Sequence, residues 1–135
     1  EDAELQREPK LSDNQVRSML ASGRWELGGH TTTHANLSSL NDEQAFEEIA
    51  GAKKTFVNSF GTEPTTFAYP FGIYSSRDIN LVGKAGYLAA MTTKSGIESP
   101  DKWNLQKLAR VKASGKDSLF SFKIRIRTGK RGFVK

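Results

Sequence analysis

Two histidines are the only ones in the 135 residues, and they stand four positions apart in His30-Thr31-Thr32-Thr33-His34. On a helical turn that spacing brings both imidazoles to one side, close enough for two ring nitrogens to share a small cation. Neutral imidazole is the commonest protein ligand for zinc-like metals. The chain contains no cysteine, so thiolate ligands and disulfides are excluded and any metal must be held by histidine and carboxylate. A bare His-x-x-x-His also recurs by chance, so the flanking residues decide what it means.

Before the pair runs Trp25-Glu26-Leu27-Gly28-Gly29, which reads as a strand entering a loop where the backbone turns tightly or approaches something closely. After it, Ala35-Asn36-Leu37-Ser38-Ser39-Leu40 leads to a strong helix start. The histidines therefore sit just beyond the C-terminal end of a strand, the edge where α/β folds gather ligands and catalytic groups.

The remaining elements follow from caps and periodicity. Ser12-Asp13-Asn14-Gln15 has capping-box form, and Val16, Met19 and Leu20 add an apolar stripe before Gly23, predicting a helix over 13–22. Asn41 with Gln44 forms a second cap. Ala45, Phe46, Ile49, Ala52, Phe56, Val57 and Phe60 then predict a helix over 42–59, stopped by Gly61 and Pro64. Thr65 to Tyr69 is β-branched and aromatic, a strand ending at Pro70-Phe71-Gly72. Ser75 or Ser76 caps a third helix carrying Ile79, Leu81, Val82 and Ala85, closed by Gly86, and 87–91 is a third strand. Strands alternating with helices through short connections predict parallel βαβ units, an α/β fold.

Residues 92–104 read as a long polar loop and 108–111 as a short fourth strand. Over 119–127, Phe120, Phe122, Ile124 and Ile126 alternate with Ser121, Lys123, Arg125 and Arg127, predicting a strand with one basic face, although Asp117-Ser118 equally suits a helix start.

A hydrophobic share of 36% and a charged share of 26% describe an ordinary globular chain of one domain at most. Within these residues no apolar run is long enough for a membrane span and none reads as a signal peptide, which leaves the compartment open. Residues 102–135 hold eleven bases and one acid, whereas residues 1–50 hold four bases and ten acids. The basic end reads first as a solvated face or a severed connection; a contact with an anionic polymer or partner is the second reading, and nucleic acid is not expected.

Three separated segments resemble a known family. The run from Trp25 to His34, with Asn36-Leu37, resembles the metal-binding motif of the polysaccharide deacetylases (carbohydrate esterase family 4, the NodB-homology domain). Phe67-Ala68-Tyr69-Pro70-Phe71-Gly72 is similar to the motif that lines that family's catalytic groove. The run from Ala85 to Thr93 is similar to the following strand in the bacterial branch that deacetylates cell-surface poly-N-acetylglucosamine, with Leu108-Ala109-Arg110-Val111 a fainter match to a later strand.

The resemblance implies a partial (β/α)7 barrel lacking its opening strands. Its expected organisation is a polar lead-in at 1–10, a partial deacetylase domain at 11–112 and a basic segment at 113–135. It implies metal-dependent hydrolytic deacetylation of an N-acetylated polysaccharide, with a divalent metal, usually Zn2+, held by His30 and His34. Thr31 would orient those ligands, the Phe71 backbone N–H would help hold the oxyanion, and Pro70 would shape the groove. Tyr69, Tyr74 and Trp103 are the expected sugar contacts. The expected setting is secreted, periplasmic or at the cell surface.

Three family features have no counterpart here. Nothing before His30 resembles the Thr-Phe-Asp-Asp stretch that supplies the catalytic base and the aspartate ligand, since Asp2 and Asp13 lie on no strand. The usual arginine of the groove motif is Ala68, and no third histidine is present to serve as general acid. The chain, which starts at Glu1 rather than Met, is therefore expected to be the C-terminal part of a deacetylase domain, inactive alone. Its expected partner is a missing N-terminal barrel segment on the same or another chain. The alternative is a non-catalytic carbohydrate-binding or scaffold remnant with a basic contact surface.

Overall fold

A computed structural model describes residues 10–130. Most of the lead-in, including Asp2, and the last five residues of the basic segment lie outside the described residues.

The helices form where the caps direct them. Ser12 and Gln15 exchange capping hydrogen bonds, the Ser12 N–H donating to Gln15 Oε1 at 2.8 Å, and helix α1 (Asp13–Ala21) follows. It buries no side chain and is tied to the rest by Arg17, which donates to the Ser59 carbonyl and lies 5.3 Å over the Phe60 ring. Asn41 and Gln44 cap α2 (Asp42–Phe60), where Asp42 and Glu43 complement the positive end of the helix dipole. Gly61 ends it, and Ala45, Ile49 and Ala52 form its buried face. Ser75 caps α3 (Ser76–Lys84) together with Asp78, which is fully buried. That carboxylate is affordable in the interior because it accepts from the Ser75 N–H and hydroxyl at 2.8 Å each and from Arg77 Nη2 at 2.8 Å.

Four strands, β1 (Gly28–Gly29), β2 (Thr66–Ala68), β3 (Ala89–Ser95) and β4 (Leu108–Arg110), pair in that order and all in parallel. Helix α2 links β1 to β2 and α3 links β2 to β3, the βαβ repeat expected from the sequence. The four-stranded parallel sheet bears out the α/β fold of parallel βαβ units. Phe67 and its register partner Ala90 turn to the helix side, where they join Ile49, Val82, Tyr69 and Tyr87 in the core. Thr66, Ala68, Ala89 and Met91, on the opposite side, stay half-buried.

Three expectations need correction. Only the two glycines of 25–29 pair as strand, leaving β1 a two-residue edge, and Trp25 is exposed. The third strand starts two residues later than expected and runs into the supposed loop, because the Leu88 N–H is drawn to the Thr65 carbonyl at 2.7 Å before pairing begins. Residues 119–127 form a helix, α4 (Leu119–Thr128), not a strand. Ser118 accepts the Ser121 N–H at its start and Gly129 closes its end. Its alternating side chains are not sorted into a buried and a basic face: Phe120 and Ile126 are exposed, while Arg125 is buried against Asp117 at 2.7 Å and donates to the Lys112 carbonyl.

Tyr87 shows how the site's strand depends on the core. It is 2% exposed, donates to the Ile49 carbonyl at 3.2 Å and lies against Gly29 so closely that a Cβ there would sit 2.3 Å from its hydroxyl oxygen. Gly29→Ala must therefore displace a packed ring and is expected to cost about 1–3 kcal/mol in urea denaturation. By contrast, Gly83→Ala, with nothing near its Cβ, should stabilise by roughly 0.5–1 kcal/mol. Burial also pushes the Tyr87 phenol up to about 12. Because the folded value lies above the unfolded one, this contribution is complete below pH ~10 and is lost as the pH rises through 12, a fall of about 2 kcal/mol measurable by denaturation at alkaline pH.

Candidate active site

His30 follows β1 directly, and the pentapeptide it opens is an irregular loop, as read from the sequence, and not a turn of helix. The rings meet by another route. Thr31 (φ 64°), His34 (φ 59°) and Phe71 (φ 58°) are, among the described residues, the non-glycine residues in the left-handed region. Such backbone is unfavourable for a β-branched residue such as Thr31, and each instance costs on the order of 1–3 kcal/mol. All three border one spot: the His30 and His34 ring centroids are 4.8 Å apart, and the His34 and Phe71 rings 4.6 Å apart.

Several bonds hold the loop in this conformation. The hydroxyl of buried Thr31 accepts the Ala35 N–H at 3.1 Å. On α2, Glu48 Oε2 accepts the N–H groups of Thr32 and Thr33 at 3.0 and 2.9 Å, and its Oε1 accepts the Thr33 hydroxyl at 3.0 Å. Asn36 caps the short turn Leu37–Ser39, Leu37 is fully buried, and the Arg77 guanidinium donates to the Leu37 and Leu40 carbonyls at 2.6 Å each.

His30 Nδ1 lies 2.7 Å from the Ala68 carbonyl oxygen at the end of β2. A carbonyl only accepts, so Nδ1 carries the hydrogen and the Nε2 lone pair is left for a ligand. Two imidazoles bound to one zinc at about 2.1 Å per nitrogen place their ring centres about 5 Å apart, so the pair fits a shared cation. Among the described residues no group of three or more metal-ligating side chains is assembled.

The second motif closes the same rim. Buried Pro70 starts a turn, Pro70–Gly72, whose closing bonds run from Gly72 N–H to the Tyr69 carbonyl at 3.0 Å and from Ile73 N–H to the Pro70 carbonyl at 3.1 Å. The Phe71 N–H is not one of these closing bonds.

The expected sugar contacts are dispersed. Tyr69 is a core residue: it is 3% exposed, donates its hydroxyl to the Gln106 carbonyl at 2.7 Å and has its phenol pushed up mainly by burial, then by Tyr74 and Asp78. Half-buried Tyr74 stacks on it at 4.6 Å. Trp103 is exposed, donates to the Glu98 carbonyl at 3.2 Å and lines, with Ile97, Leu105 and Leu108, a groove of about 300 Å³ that includes neither histidine. Glu48 and Arg77, which hold the loop, were missed in the sequence. Each looks like one more charged residue on a helix surface until the face it presents is known.

The sequence profile of the polysaccharide deacetylase family matches residues 5–90. YxkH of Bacillus subtilis, which bears a polysaccharide deacetylase name, is 33% identical over 104 residues, 77% of this chain and 37% of YxkH. The poly-beta-1,6-N-acetyl-D-glucosamine N-deacetylase of Staphylococcus aureus is 22% identical over 99 residues, 67% of this chain and 34% of that protein. In fold, the chain is similar to the Streptococcus pyogenes deacetylase PplD in complex with acetate, with a TM-score of 0.79 at 21% identity, covering 94% of this chain and 54% of PplD. The chain thus spans a little over a third of the length of the curated relatives it matches.

Thr31 offers a direct test of the loop. Thr31→Val keeps the side-chain shape and removes the acceptor for the Ala35 N–H, with an expected loss of about 1–3 kcal/mol in urea denaturation and faster hydrogen exchange at Ala35.

Proposed function

The chain belongs to the polysaccharide deacetylase family, and from that premise we propose that it carries part of the active site of a hydrolase removing acetyl groups from an N-acetylated polysaccharide, an N-acetylglucosamine polymer or oligomer. The observation that carries this reading is the pairing of His30 and His34, ring centroids 4.8 Å apart, with His30 Nδ1 committed to the Ala68 carbonyl.

In this reading the two imidazoles hold a divalent ion, Zn2+ by the resemblance. A bound ion supplies a Lewis acid beside the acetyl carbonyl and a water activated near neutral pH. The third ligand and the catalytic base would come from an N-terminal barrel segment of the same or another chain, and the general acid from a residue other than those described. The Phe71 N–H donates to the oxyanion that develops on the amide carbonyl, a role worth several kcal/mol when the donor is fixed in advance. Pro70 fixes that N–H by holding the turn, and the Thr31 hydroxyl keeps the loop between the ligands closed. With Tyr69 in the core, Tyr74 and exposed Trp103 are the aromatic surfaces left to meet sugar rings.

By the resemblance, the protein works secreted, in a periplasm or at the cell surface. No helix among the described residues is long and apolar enough to cross a membrane.

The test is acetate release from N-acetylglucosamine oligomers by the intact protein that contains this chain. His30→Ala and His34→Ala should each lower kcat/KM by at least about a hundredfold, a transition-state loss of roughly 3 kcal/mol or more. Turnover unchanged in both variants would overturn the proposal. The 135-residue chain by itself is expected to bind zinc weakly and to release no acetate.

A further inference from the structure

Nothing in the two histidines themselves explains why they face each other, because the three threonines between them have no intrinsic preference for the backbone that brings the rings together. The neighbouring helix supplies the constraint. Glu48 accepts from two successive N–H groups, Thr32 and Thr33, through one oxygen, and from the Thr33 hydroxyl through the other. The Thr32 hydroxyl donates back to the Glu48 carbonyl at 3.3 Å. One residue of α2 is thus bonded to both threonines that lie between the left-handed residues Thr31 and His34.

A second observation is independent of those bonds. Three residues further along the same helix face is Gly51, a residue that weakens a helix interior. A Cβ there would lie 2.9 Å from the Thr32 hydroxyl oxygen. Glycine at this position lets the loop seat directly on α2, so helix and loop are matched in shape as well as in hydrogen bonding.

We propose that Glu48 is a positioning residue for the His30/His34 pair, its carboxylate selecting the loop conformation in which the two imidazoles converge. The proposal rests on the reading of that pair as metal ligands only for its effect on metal affinity; its effect on the rings is independent of any metal. Glu48 touches neither ring. Two N–H groups aimed at one oxygen fix the peptide planes of Thr32 and Thr33. Those planes in turn leave Thr31 and His34 as the positions where the chain must reverse.

The test uses the 135-residue chain with Glu48→Met, which keeps length and helix propensity but has no strong acceptor. It also uses Glu48→Gln, which keeps an acceptor oxygen for both N–H groups and an amide that can donate to the Thr33 hydroxyl. Glu47→Ala, on the exposed adjacent position, controls for the loss of one negative charge near a cation. Without metal, wild type and Glu48→Gln should show cross-relaxation between the His30 and His34 ring protons and slow exchange at the Thr32 and Thr33 amides. Glu48→Met should lose both while still unfolding in a cooperative transition, at a lower midpoint. With Zn2+ as the probe, calorimetry should find affinity weakened about tenfold or more in Glu48→Met and within about threefold of wild type in Glu48→Gln and Glu47→Ala.

Glu48→Met with ring cross-relaxation intact overturns the proposal, whether or not zinc binds. If wild type binds no zinc, the metal reading fails, and the metal-free ring signals still decide the role of Glu48. Should Glu48→Met not fold, the wild-type exchange rates decide instead: unprotected Thr32 and Thr33 amides overturn the proposal, and protected ones together with rescue in Glu48→Gln support it.

Discussion

The hydrogen bond from His30 Nδ1 to the Ala68 carbonyl, 2.7 Å long, is the interaction on which the site depends. It joins the residue that leaves β1 to the last residue of β2, strands already paired in parallel through Gly28 with Thr66 and Gly29 with Phe67. The sheet register therefore determines where the imidazole is held, and the bond determines which nitrogen it presents. A slip of one residue would exchange the faces of β2, bury Ala68 in place of Phe67 and remove the carbonyl from reach.

That register is itself held by the core. Phe67 packs between Tyr69 and Tyr87, with centroids 5.4 and 5.1 Å away, and Tyr87 fills the space beside Gly29. The core aromatic Phe67 within β2 and His30 directly after β1 thus lie beside one another on neighbouring short strands. This explains how three left-handed residues can be tolerated at one rim. Their strain is local, whereas the constraints that impose it come from α2, from α3 through Arg77 and from the turn at Pro70. Polar groups drawn from several elements over-determine a loop that its own sequence would not adopt.

The elements with a local signature could be read in the sequence. Capping boxes at Ser12, Asn41 and Ser75 place three helix starts, because the cap is a contact between residues three apart and needs no tertiary information. The parallel order follows from alternating strands and helices. The two motifs meet through the pairing of β1 with β2. Elements whose identity is decided at a distance were not legible in the same way. The alternation at 119–127 imitates a strand, yet Arg125 closing on Asp117 eight residues earlier and the Ser118 cap make it a helix. Tyr69 reads as part of a groove motif, but as a core residue it points to the helices. The spacing of His30 and His34 suggested a helical turn. The rings do converge, but through left-handed residues imposed by Glu48, and no count along the chain reveals that.

The most direct measurement of the central claim is anomalous diffraction at the zinc edge from crystals of this chain soaked in Zn2+. The account predicts a peak between the two imidazoles, about 2.1 Å from His30 Nε2 and from a ring nitrogen of His34, with His30 Nδ1 still on the Ala68 carbonyl. A peak confined to other carboxylates, or His30 turned away with its Nδ1 released, would contradict it.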